Sequence, residues 1–338
     1  MPRRKNIARY AGCGLLLCAV ALMPLVAKSP YYITVGNFIG IYGIVAIGLA
    51  LLLGYAGQVS MAQAAFFGIG AYTSAILTTL TEMNPWLALV AGAMIAAGTA
   101  GILGVPLLKL EGHVLAVATM ALSIVIYTLF VEWAHLTGGY DGIGGIPGLS
   151  LFGFQLKSDL HYYYLIWACV VAVFVLSHNI VHSRVGRALR SIHRFSGGSE
   201  MAAQSVGISP AKYKVQVFMI SAFYASIAGS LYAHWIAFIN PEPFGVFISI
   251  LMLIMITIGG MGSLWGAMVG SAVIVLSGEF FRDIVPKVLP GAAGEMEHIA
   301  YGMILVLILL FMPAGLVSAP DALKRWRARI SQKSDWRE

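Results

Sequence analysis

The sequence is poor in charge. Asp, Glu, Lys and Arg make up 10% of its 338 residues, against about 25% in a soluble domain. With 59% of residues apolar or aromatic and a mean hydropathy of +0.85, that deficit excludes a soluble core. Acids are scarce inside the apolar runs. Only Glu132 and Glu279 occur there, each near the end of its run. Proton-driven carriers place ionisable groups deep in the bundle, so the pattern argues against one, and both glutamates read as interfacial residues. Cysteine is limited to Cys13, Cys18 and Cys169, all inside apolar runs, which excludes a disulfide framework.

Catalytic signatures are missing too. There is no His-Glu-x-x-His and no Gly-x-Ser-x-Gly. No lysine follows a glycine, so the chain carries no phosphate-binding loop of its own. His178 and His182 share a helix face at a spacing that suits a metal, yet no acid or cysteine lies near them in sequence, and they read as an interfacial helix end. The expectation is a chain with no cofactor and no catalytic residue.

What is present is a series of long apolar runs, at residues 11–27, 33–53, 61–80, 86–108, 113–135, 162–182, 215–239, 244–261, 264–281 and 299–317. A membrane span uses roughly 20 residues. A transmembrane barrel would alternate apolar and polar residues, whereas these runs are unbroken. The expected fold is all-α: one polytopic transmembrane domain over residues 1–338 with about ten helices. Two breaks between runs are short and glycine-rich, Gly54-Tyr55-Ala56-Gly57 and Gly259-Gly260-Met261-Gly262, and each marks a tight hairpin or an interrupted helix.

The net charge of +7 suits membrane topology better than nucleic acid, because the bases cluster between apolar runs. With the N-terminus inside, the inside segments hold Arg3, Arg4, Lys5, Arg9, Lys109, Arg184, Arg187, Arg190, Arg194, Lys212, Lys214, Lys324, Arg325, Arg327, Arg329, Lys333 and Arg337. The outside segments hold Lys28, Lys157, Arg282 and Lys287. This split supports an even number of passes with both termini cytoplasmic, the loop 183–212 inside, the loop 136–161 outside and a basic cytoplasmic tail at 318–338. Cleavage of the first run as a signal peptide leaves the same orientation, although no clean Ala-x-Ala site follows it.

Two regions say more than hydropathy. In residues 54–72, Gly54, Gly57, Gly68 and Gly70 alternate with Gln58, Ser60 and Gln63. Small residues let helices approach closely and amides in lipid must find partners, so Gln58, Ser60 and Gln63 either line or brace a translocation pathway or belong to a packing hairpin. In residues 184–214, Ser199 is an N-cap candidate, Glu200 suits a first turn, and Gly207 with Pro210 forms a stop. That predicts a two-turn helix from Glu200 to Val206 exposing Met201, Ala202 and Ala203. It is either part of a solvated basic loop or a short helix covered by a partner.

Read together, these stretches resemble the inner-membrane permeases of branched-chain amino acid ABC transporters, of the LivM type. The resemblance rests on Gly54 to Ser60, Phe66 to Tyr72, Thr137 to Gly142, Gly186 to Arg190, Glu200 to Ala203 with Gly207-Ile208, Ser221 to Phe223, Ala228 to Ala233, and Gly259 to Ser263. It implies a non-catalytic channel half of type II-like ABC importer architecture in a bacterial inner membrane. The implied partners are a second homologous permease, two cytoplasmic ATPases holding ATP and Mg, a periplasmic substrate-binding protein and membrane lipid. Glu200, Met201, Ala202, Ala203 and Gly207 then correspond to the coupling helix that docks on the ATPase. Gly54, Gly57, Gln58, Ser60, Gln63, Gly259, Gly260 and Gly262 correspond to the pathway or its packing. Against the pattern of that family, Arg194-Phe195-Ser196-Gly197 looks like extra length ahead of the coupling helix. Urea and short amides are alternative solutes on the same scaffold, and a sodium-coupled carrier and a membrane-embedded enzyme are the alternative classes.

Overall fold

In lipid a backbone has no partner but itself, and eight of the ten apolar runs are helical. The computed structural model describes residues 30–110, 112–151, 154–156, 158–192 and 199–288. The runs at 11–27 and 299–317, the tail at 318–338 and the Arg194 to Gly197 stretch lie outside the described residues. Helix α1 covers Pro30–Leu49 and continues as a π-helical stretch, Ala50–Tyr55. It is followed by α2 (Gln63–Leu80), α3 (Pro85–Leu107), α4 (Gly112–Glu132) and the one-turn α5 (Ala134–Thr137). After a hairpin-like loop come α6 (Asp159–His182), α7 (Arg184–Ile192), α8 (Glu200–Ser205) and α9 (Pro210–Ile236). The described residues end on α10 (Val246–Gly259) and α11 (Leu264–Val288).

Local sequence sets the helix starts. Asn84 accepts from the Trp86 amide with Pro85 in the first turn, and Ser158 accepts from the Leu160 amide with Asp159 behind it, both satisfying amides that a helix start leaves open. Six described helices are long and apolar enough to cross a membrane: α1 with its π-helical end, α3, α4, α6, α9 and α11. Helix α10, at 14 residues, rises about 21 Å, short of the roughly 30 Å of a hydrocarbon core.

Helix α9 sits at the centre. It packs most extensively on α2 and α3 and also lies against α1, which carries α6 and α11 on its other sides. Glycine sets the closeness of the α2 and α9 crossing. A Cβ on Gly229 would overlap the Phe67 carbonyl, and one on Gly70 would overlap the Ser226 carbonyl. The gap is closed by a bond from Ser230 Oγ to the Gly70 carbonyl at 3.0 Å.

The loops gather at two ends. At one end Tyr55 bonds the Gly262 carbonyl, and the α3–α4 turn faces the segment between α8 and α9. Lys109, Arg184, Arg187, Arg190, Lys212 and Lys214 all lie at this basic end. At the other, strand β1 (Ile143–Gly144) pairs antiparallel with β4 (Phe238–Ile239), in register Ile143 with Ile239. A second ladder, β2 (Ser150–Leu151) with β3 (Phe154–Gln155), lies in the same loop.

Replacing Gly229 by Val should therefore lower both the recovery and the melting temperature of detergent-extracted protein, because overpacking alone costs about 1–3 kcal/mol and this overlap is with backbone. Gly98→Val, where an added Cβ meets nothing within 4 Å, should leave both unchanged; equal behaviour of the two variants contradicts the crossing.

Candidate functional site

The first candidate is the break after α1. The π-helical turn runs out through Ala56 N–H to the Leu51 carbonyl at 3.2 Å and Gln58 N–H to the Leu52 carbonyl at 3.0 Å. Gly57 takes the left-handed conformation at φ +69°, which glycine adopts without strain. Gly54 lies so close to the Met261 carbonyl that a Cβ would overlap it. The structure therefore brings Gly54 and Gly57 onto the turn that carries Gly259, Gly260 and Gly262. Within that turn Gly260 has φ +118°, and the Gly259 position abuts the Gly266 carbonyl.

Residues 57–62 are non-helical, and their amides need partners that lipid does not supply. Beside the backbone bond of Gln58, three hydroxyls take up amides in this stretch and at the start of α2. Thr119 Oγ1 of α4 accepts from the Met61 amide at 3.0 Å, Ser60 Oγ from Ala62 at 3.3 Å, and Ser249 Oγ of α10 from Ala64 at 2.9 Å. Gln63 Nε2 donates to Ser221 Oγ of α9 at 3.1 Å. Gln58, Ser60 and Gln63 are all buried. Neither amide atom of Gln58 has a hydrogen-bond partner among the described residues. The sequence did not single out Thr119 or Ser249, and it marked Ser221 only as part of a family motif; a lone hydroxyl in an apolar run was the available signal.

The second candidate is α8. Ser199 has the extended backbone of a cap, but its hydroxyl makes no cap bond; the Ser199 carbonyl instead accepts from the Ala203 amide at 2.9 Å. The helix closes one residue earlier than expected, with Val206 as its C-cap. Gly207, at φ +82°, bonds the Gln204 carbonyl, and Ile208 bonds the Ala203 carbonyl, each at 3.0 Å. These two bonds form a Schellman turn. Met201 is 83% exposed and Val206 74%. Ala203, expected outside, is buried, because it faces inward at the point where the Schellman turn folds back over it. Glu200 pairs with Lys214 of α9, and a cleft of about 570 Å³ beside them is lined by Leu108, Lys109, Gln204 and Ile208.

The opposite end holds a knot that sequence reasoning missed. His234 Nδ1 lies 2.7 Å from the Pro147 carbonyl and Nε2 lies 2.8 Å from Ser74 Oγ. A carbonyl only accepts, so Nδ1 carries the proton and Nε2 accepts from Ser74. Tyr162 OH donates to the His234 carbonyl at 2.9 Å and accepts from the Leu149 amide at 2.9 Å. The loop before α6 is thereby tied to α2 and α9. The rings of His178 and His182 lie 4.2 Å apart, centre to centre, and tilted by 32°, and no group of three or more metal-ligating residues occurs among the described residues.

With this geometry in place, comparison with known proteins decides the family. Residues 31–312 match the family described as the branched-chain amino acid transport system permease component. The chain belongs to that family. It is 29% identical over 330 residues to the high-affinity branched-chain amino acid transport system permease protein LivM of Escherichia coli K12, covering 89% of this chain and 74% of LivM. It is 25% identical over 305 residues to the permease protein LivH of Salmonella typhimurium, covering 84% and 93%. Against the permease protein BraD of Pseudomonas aeruginosa it is 25% identical over 332 residues, covering 86% and 95%. The protein is thus an ABC permease subunit built of membrane-spanning helices.

The two buried glutamines of this permease should respond differently to leucine. Gln63→Leu removes the bond to Ser221 and should lower stability by about 0.6–1.7 kcal/mol, the range for interhelical bonds in membranes. Gln58→Leu removes no bond and should be neutral or stabilising. Thermal unfolding in detergent reads both, and a larger loss for Gln58→Leu contradicts the bonding described.

Proposed function

We propose that this permease forms half of the translocation pathway of an ATP-driven importer for branched-chain amino acids, with its basic end in the cytoplasm. The observation that carries the reading is α8: a six-residue helix, set by a Schellman turn on the basic end, with Met201 and Val206 turned outward. A helix this short is unstable alone, and two large apolar side chains held in water suit a surface that a partner covers. A cytoplasmic ATPase is that partner in this reading, and Glu200, Met201, Ala202 and Gly207 form the contact, with Ala203 packed beneath it. The other partners are a second homologous permease and a periplasmic binding protein. ATP and Mg belong to the ATPases, and hydrolysis is not this chain's chemistry. The break at residues 54–63 and the turn at 259–262 then lie at the inner part of the pathway. The absence of buried acids in the described spans suits a route that holds an apolar amino acid weakly and lets it leave.

Two measurements test this. Single cysteines at Ser158 and Ser205, in a background without native cysteines, should react with an impermeant maleimide from opposite sides of the membrane, Ser205 from the cytoplasm; labelling from one side refutes the topology. In the assembled transporter, Ala202→Asp places an unpaired charge at the ATPase contact, a costly burial. It should abolish uptake of radiolabelled leucine while leaving the permease in the membrane. Parental uptake by Ala202→Asp refutes the docking role of α8, and a parental transporter that carries urea but not leucine refutes the solute.

A further inference from the structure

We propose that Lys214 is the positioning residue that locks α8 to α9, so that force applied to α8 reaches the helix bracing the break. The inference rests on α8 being the ATPase-facing element. Lys214 is on the second turn of α9 and its side chain is 8% exposed, against 35% for Glu200. An ammonium so buried requires its countercharge, and Glu200 is the carboxylate bonded to it among the described residues.

The remaining bonds that shape α8 do not perform this task. The Schellman turn closes within residues 203–208, and the first turn of α8 is held by its own backbone. The ion pair is the side-chain bond between α8 and α9 among the described residues. It crosses from the first residue of α8, where a carboxylate also suits the helix dipole. From Lys214, α9 runs through Ser221, which bonds Gln63, to Ser226, Gly229 and Ser230 against α2. A rigid path of bonds and close contacts therefore joins α8 to the start of α2.

Burial makes the two ends of the pair unequal. Removing Lys214 leaves a carboxylate that hydrates through the cleft, whereas removing Glu200 strands a buried ammonium. Lys214→Met is thus the variant that separates coupling from assembly, and Glu200→Gln is the one expected to disturb assembly more.

The test uses the complete transporter in proteoliposomes, with radiolabelled leucine as probe and the ratio of leucine taken up to ATP hydrolysed as readout. Lys214→Met should assemble at parental yield and lower that ratio about tenfold, within the range of coupling between sites. Lys214→Arg and the swapped pair Glu200→Lys with Lys214→Glu should restore it. A parental ratio for Lys214→Met overturns the proposal, as does a loss that the swapped pair fails to restore. If Lys214→Met does not assemble, the swapped pair decides: a parental ratio supports the inference, and a pair that neither assembles nor couples overturns it. Loss of uptake in Ala202→Asp alongside a parental ratio in Lys214→Met sinks this inference alone; parental uptake in Ala202→Asp sinks the docking role beneath it.

Discussion

In a bilayer, helices gain little by burying apolar side chains against each other instead of lipid tails, so their association rests on close backbone approach and on polar bonds. Helices α2 and α9 use both. Gly70 and Gly229 bring the two backbones together at a distance no larger residue permits, and Ser230 bonds across the seam. The break depends on its neighbours too: within residues 57–62 the Gln58 amide donates to the Leu52 carbonyl, the Met61 amide to Thr119 and the Ala62 amide to Ser60. The seam reaches the end of the break through Gln63, the first residue of α2, whose side chain donates to Ser221 of α9. The loop before α6 depends on the seam as well, since His234 of α9 and Ser74 of α2 form its anchor.

Much of the architecture was legible in the sequence because lipid imposes one rule: a long uncharged run must be helical. The glycine-rich breaks were legible for a related reason. Gly57 and Gly260 take left-handed conformations, and Gly54 and Gly259 admit another backbone, so each marked a place where the chain turns or is touched. The end of α8 was readable from Gly207, which supplies the turn. Its exposed face was read less well, since Met201, Ala202 and Ala203 form an uninterrupted apolar run and nothing in their order shows that Ala203 turns inward.

The bonds that serve the break were not legible, although Ser221 stood in a family motif. Thr119, Ser221 and Ser249 are ordinary hydroxyls within apolar runs, and their roles arise from contacts over distances of 58 to 185 residues in sequence. Lys214 was hidden differently: among the bases of its loop it reads as one more topology signal, and only its burial separates it from Lys212. The same end of the molecule thus uses positive charge in two ways. Its other described bases are exposed, and Lys214 is buried and paired with Glu200.

These observations describe one connected body running from α8 along α9 to α2. The most direct measurement is the distance between spin labels at Met201 on α8 and Leu80 at the far end of α2, both exposed, in the assembled transporter with and without bound nucleotide. One narrow distance distribution, unchanged between the two states, is expected. A shift comparable to a helical turn, or a split into two populations, would show that α8 moves independently of α9 and α2 and would contradict it.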